Sequence, residues 1–258
     1  MRSVPSVVSF ALAAGTLFSP LVAHAQNESR ASPDHVVVGV GAIYAPAYTG
    51  ADNYRALPIP VIDVLKGPFF LNLQDGVGLN VIDSGVLTIG GSVAFMPGYR
   101  RRDAPHGIGK LSSGAGARMF ARLKAAGAVA TVGATQGFAG GTRGVIVDMN
   151  LSYPIMASSR VTLVPAIGAT WADRKYNNRY FGVDAAQALA SGLPEFRAGA
   201  GFKDMSATLT ANSRLTDRIS VSLSGGVTRL LGRVQDSPIV FHKTRPLGIL
   251  SLSYSLGS

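Results

Sequence analysis

Leu250-Ser251-Leu252-Ser253-Tyr254-Ser255-Leu256 alternates apolar and hydroxyl side chains without a break. Side chains in an extended strand point to opposite faces in turn, so a period of two describes a strand whose faces meet different surroundings. The pattern recurs. Ile219, Val221 and Leu223 alternate with Ser220, Ser222 and Ser224. Val145, Val147, Met149, Leu151 and Tyr153 oppose Asp148, Asn150 and Ser152, and Met205–Leu215 sets Ser206, Thr208, Thr210, Asn212 and Arg214 on one face. Other segments are longer and glycine-rich, at 36–44, 86–96, 115–123, 128–138 and 161–171.

A soluble β-sandwich also alternates, but its wet face carries charge. Here the polar face is Ser, Thr, Asn and Gly, and only 15% of the chain is charged while 47% is hydrophobic. The strands run to about ten residues, the length a tilted strand needs to cross a bilayer. A barrel with lipid outside and a polar interior accounts for both features, because closure pairs every backbone group. The pattern therefore predicts an all-β fold, a transmembrane antiparallel β-barrel of about 12 strands. Ten is the alternative, because Pro58–Val81 reads either as three short strands or as one hairpin with a bulge.

Met1–Ala25 has the form of a signal peptide: Arg2, then an apolar stretch from Val7, then Ala23-His24-Ala25 as a cleavage site. The barrel is expected to occupy residues 26–258 of an exported protein in the outer membrane of a Gram-negative bacterium. Both chain ends then face the periplasm. Short turns fall at Lys66-Gly67-Pro68, Asp83-Ser84-Gly85, Ala157-Ser158-Ser159 and Thr216-Asp217-Arg218. The outer loops become 46–55, 98–113, 172–195 and 232–245. In the longest, Asp184–Ser191 is Ala-rich and predicts a short helix ended by Gly192 and Pro194. Trp171 and Phe196 stand where an aromatic girdle belongs. Trp171, Arg174, Lys175, Tyr176, Tyr180 and Phe181 form a candidate outer-loop surface.

The net charge is +10. Arg100-Arg101-Arg102 opens an outer loop, either near lipopolysaccharide phosphates or as a solvated charge run. If Ala115, Ala117, Met119, Ala121 and Leu123 face lipid, Arg118 and Arg122 face inward. Arg197, Lys203 and Arg214 are assigned to inward positions of their own strands, and Asp148 is an inward partner. These six are candidate lumen-lining charges, either favouring anions in a narrow channel or pairing to plug it.

Nothing in the sequence spaces a histidine for nucleophilic catalysis, and the glycines of Gly39-Val40-Gly41 are followed by Tyr44 where a dinucleotide fold needs a third glycine. No metal or cofactor motif stands out, and an exported barrel does not meet nucleic acid. The expectation is a non-enzymatic protein without cofactor.

Several blocks carry a family resemblance. They are Tyr44-Ala45-Pro46-Ala47-Tyr48-Thr49-Gly50 with Asp52 and Tyr54, Leu57-Pro58-Ile59-Pro60, Trp171-Ala172-Asp173-Arg174-Lys175-Tyr176, and Tyr180-Phe181-Gly182-Val183. Gln187, Ala190-Ser191-Gly192-Leu193-Pro194, Gly199-Ala200-Gly201-Phe202-Lys203-Asp204, Arg229-Leu230-Leu231-Gly232 and Asp236-Ser237-Pro238 follow in order. The chain resembles the MipA/OmpV outer-membrane proteins. The resemblance implies a scaffold joining a lytic transglycosylase to a peptidoglycan synthase, in outer-membrane lipid and lipopolysaccharide, after insertion by the barrel-assembly machinery. It also implies adhesin or ligand-binding roles as an alternative, and it assigns no catalytic residue. One departure stands at the C-terminus, where Leu256 occupies the position of the family's closing Phe and Gly257-Ser258 follow.

Overall fold

The computed structural model describes residues 34–256. The expected signal peptide and Gly257-Ser258 lie outside them. The strands are β1 (His35–Pro46), β2 (Tyr54–Lys66), β3 (Phe69–Asn72), β4 (Gly76–Asp83), β5 (Leu87–Met96), β6 (Gly114–Ala125), β7 (Ala128–Ala139), β8 (Gly144–Ser152), β9 (Ile155–Met156), β10 (Val161–Ala172), β11 (Gly201–Arg214), β12 (Ile219–Leu230) and β13 (Thr244–Ser255). Each pairs antiparallel with the next in the chain, except that β8 pairs with β10 rather than β9. β1 joins β13, and β10 joins β11, so the sheet closes on itself. β9 continues β8 in the same register on β10, past an interruption at Tyr153-Pro154. The wall therefore has 12 staves.

The outer face is apolar because the alternation places it so. On β6, Met119 is 71% exposed while its neighbour Arg118 is 5% exposed. Val40, Val81, Ile167, Leu223 and Leu250 are likewise exposed on other strands. Such a surface is stable only against hydrocarbon.

One end of the barrel is all tight turns, at 67–68, 84–86, 126–127, 157–160 and 215–218. At 126–127 both residues have positive φ, 50° and 79°, as a two-residue hairpin with the strand twist requires. Ala126 is the one non-glycine among the described residues held there.

The ambiguous segment resolves into three strands, and the middle one is four residues long. β3 pairs only with Asp63–Lys66 of β2, so Tyr54–Ile62 has no sheet partner on that side among the described residues. Pro58 and Pro60 lie in this stretch with outward, exposed side chains. Proline has no N–H, so two donors that an edge at membrane depth would leave unsatisfied are missing by composition.

The other end holds the links 173–200 and 231–243, which contain α1 (Arg174–Phe181), α2 (Ala185–Ser191) and a 3₁₀ turn at Gly232–Asp236. α2 matches the expected helix, with an Asp184–Gln187 capping box and Gly192 in the left-handed conformation after it. Over α1 the sequence reads as exposed loop, and the structure differs. Asp173 caps it by accepting from the Tyr176 backbone N–H at 2.7 Å. Its start packs on β8, where Gly144 has φ 133° and a Cβ would lie 2.5 Å from the Tyr176 nitrogen.

Candidate functional site

Two features fill the barrel, a cap at the loop end and an ion-paired waist beneath it. The cap is an apolar core built by the loops. Tyr48, Ala51, Tyr99, Ile108, Tyr180, Phe181, Val183, Leu230, Val234 and Ile239 are each at most 4% exposed and form one cluster. Tyr48, Tyr99, Tyr180 and Phe181 make a run of ring contacts with centroids 4.8–5.5 Å apart. The loops are tied through polar atoms too. The Tyr48 hydroxyl donates to the Ile239 carbonyl at 2.7 Å, and the Ser237 hydroxyl donates to the Phe181 carbonyl at 2.5 Å. Burial holds the Tyr48, Tyr99 and Tyr176 hydroxyls neutral well above the ordinary tyrosine range.

This corrects the outer-loop surface read from sequence. Tyr176, Tyr180 and Phe181 are buried in the cap, because α1 turns one face inward. Arg174 and Lys175 are exposed on its other face, and Trp171 is half-buried at the end of β10 on the outward parity. Phe196 is not part of a lipid-facing girdle; it bridges to Val183 and packs against the cap.

The waist centres on Arg118. Its Nε donates to Asp75 at 3.0 Å, and its two terminal nitrogens donate to Asp148 at 2.5 and 2.9 Å. Arg122 reaches the second oxygen of Asp75 at 3.1 Å. Gly133 on β7 makes room: a Cβ there would lie 2.3 Å from an Arg118 terminal nitrogen. Asp75, 1% exposed, was not singled out from sequence. It sits at the tip of the short β3–β4 hairpin, where Asn72 accepts from the backbone N–H groups of Gln74 and Asp75. Arg55 pairs with Asp103 at 2.9 Å, and Lys203 pairs with Asp204.

The remaining charges expected in the lumen separate. Lys203 and Asp204 are adjacent in sequence yet both buried, because a register shift opposite Thr170/Trp171 turns both inward. Arg214 has inward parity but is exposed at the turn end, where it donates to the Ser159 carbonyl at 2.7 Å. Arg197 is not in the lumen. It is exposed on the link before β11, and the strand parity cannot be carried back through Gly199 and Gly201, whose φ values are 75° and 154°.

Below the waist the interior is hydroxyl and amide. Asn80, Asn150, Asn212, Ser222 and Ser253 are half-exposed, which leaves a wettable vestibule at the turn end. An apolar-walled antiparallel barrel, capped at its loop end, with a charged and hydroxyl-lined interior, is a transmembrane barrel of the bacterial outer membrane. The family model described as "MltA-interacting protein MipA" matches residues 38–256, and the chain belongs to that family. No curated protein sequence matches it. Among solved structures it is similar to a KdgM porin (8% identity, 86% of this chain, 100% of that chain, TM-score 0.48). A NanC porin (8%, 86%, 100%, 0.46) and outer-membrane expressed OmpT of Vibrio cholerae (9%, 88%, 100%, 0.40) are also similar.

Proposed function

We propose that this barrel is a non-enzymatic, membrane-embedded anchor for peptidoglycan-remodelling enzymes, a lytic transglycosylase and a peptidoglycan synthase. The observation that carries this reading is the cap. An apolar core at the loop end, with ion pairs in the waist beneath it, supports a barrel closed to solutes. What can act is the surface, and on the periplasmic side that surface is the turn rim.

The rim has a basic corner suited to such contacts. Arg160 and Arg214 are joined through their backbones at 2.8 Å, because β10 and β11 are paired, and Arg218 stands on the adjacent turn. All three are exposed. The family description, MltA-interacting protein, supports the same reading. Pull-down of the membrane-extracted protein should retain both enzymes, and Arg160→Glu with Arg218→Glu should release them while the barrel stays folded. Refolded protein in a planar bilayer should be electrically silent. Discrete conductance steps, or extraction that retains neither enzyme, would overturn the proposal.

A further inference from the structure

We propose that the lumen holds a binding site for a small organic monocarboxylate, anchored by the Arg245 guanidinium. Arg245 lies on the inward face of β13 and is 5% exposed. Among the described residues it makes no ion pair, and its Nε has no hydrogen-bond partner. Among the described residues, the other buried or half-buried cations around it each have a carboxylate: Arg118 has Asp75 and Asp148, Arg122 has Asp75, Arg55 has Asp103, Lys203 has Asp204. Asp204 and Arg245 both act electrostatically on Tyr176, but Asp204 is already held by Lys203. One positive charge is therefore left over. A guanidinium cannot discard its proton, so its burial cost is relieved most fully by an anion.

The neighbouring wall extends the case. Arg245 pairs across to Thr228, which pairs to Ser206 on β11; Thr208 is one inward step nearer the turn end. The Thr208 hydroxyl and the Asn212 amide nitrogen are buried with no hydrogen-bond partner among the described residues. Three unpaired groups able to donate thus share the interior of β11–β13 and lead from the vestibule to Arg245. On the other side of Arg245 the wall is apolar: Ile43, Ala45 and Ile59 form a cluster with Leu57, Leu247 and Ile249. Donors on one side, hydrocarbon on the other and one uncompensated charge fit a singly charged carboxylate with a short apolar tail. A multiply charged phosphate would exchange an excess positive charge for an excess negative one. The vestibule supplies the route, since the cap closes the other end.

The proposal does not rest on enzyme anchoring, and its test uses no partner. The refolded protein in a non-ionic detergent is titrated with sodium hexanoate, with hexanol, chloride and inorganic phosphate as comparison ligands. The readouts are thermal unfolding and the NMR resonance of the Arg245 Nε–H. Hexanoate should shift the resonance saturably and raise the melting temperature, and the others should do neither. Arg245→Met should remove the response and raise the melting temperature of the ligand-free protein, as replacing an uncompensated buried charge does. Thr208→Val, which leaves the charge in place, should weaken hexanoate about tenfold, a loss of one buried hydrogen bond. Equal binding of phosphate or chloride would overturn the carboxylate assignment. A resonance that no anion moves would overturn the site.

Discussion

The two ends of this barrel solve different problems. At the turn end the links are two to four residues long, the interior is Ser, Asn and Thr, and side chains there are half-exposed. At the loop end the links fold on one another and bury aromatic rings almost completely. The turn end needs only its backbone ladder, which pairs its own polar groups at membrane depth. The loop end has in addition a water-facing apolar core, and such a core is stabilised by the hydrophobic effect as in a soluble domain. The lesson is that one chain carries two kinds of stability in series, joined at the Arg118 waist, and each can be weakened separately.

The largest effect is expected at the joint. Asp75→Ala removes one carboxylate from two guanidinium groups and leaves charge buried without its partner. Breaking a buried pair costs about 3–5 kcal/mol. Urea unfolding of the refolded protein should show the loss, and a change below about 1 kcal/mol would mean that Asp148 alone satisfies Arg118. Next comes the cap. Phe181→Ala empties a site that is 0% exposed and should cost about 3–5 kcal/mol locally. Because the cap is separate from the ladder, the loops should become trypsin-sensitive while the barrel keeps its compact migration in unheated gels. Leu189→Ala, at 91% exposure on the same loop, should change neither. Loss of the barrel together with the cap would erase the distinction between the two ends.

Alkaline pH should open the cap first. Tyr48, Tyr99 and Tyr176 are held neutral by burial, so their folded-state values lie above the ordinary 10.0 to which opening returns them. A raised value means that their stabilisation is complete below pH 10.0 and is lost as pH rises beyond it. Loop proteolysis should therefore begin above that pH, while the ladder holds. Replacing Tyr99 by Phe should move the onset upward.

The same division governs what the sequence disclosed. The ladder was legible because each strand keeps a period of two: the outward Met119 and the inward Arg118 follow from one count along β6. A slip of one residue would turn Arg118 and Arg122 to lipid at about 2–4 kcal/mol each. The cap was not legible. Arg174–Phe181 reads as polar, and its inward face exists only once α1 forms and meets loops from three other hairpins. Asp75 was hidden by a four-residue strand that no periodicity can resolve. Lys203 depends on a bulge, and Arg245 reads as the end of a loop although β13 already begins at Thr244.

The smallest effect compares two helix caps within a single loop. Asp173 and Asp184 each accept a backbone N–H three residues on, at 2.7 and 2.8 Å. Losing such a cap costs about 0.5–2 kcal/mol of helix stability. The helices differ in what they hold. α1 buries Tyr176, Asn177, Tyr180 and Phe181, whereas α2 buries no residue completely. Asp173→Ala should therefore pass its cost to the cap and increase loop proteolysis around Tyr180. Asp184→Ala should fray only α2, where Gln187 donates its amide to the Ile108 carbonyl at 2.8 Å, and global unfolding should stay within about 0.5 kcal/mol of the parent. Hydrogen exchange at Ala188 and Gly192, whose N–H groups close α2, reads the difference directly. Faster exchange there with unchanged exchange at Asn177 would locate the boundary of the apolar core between the two helices.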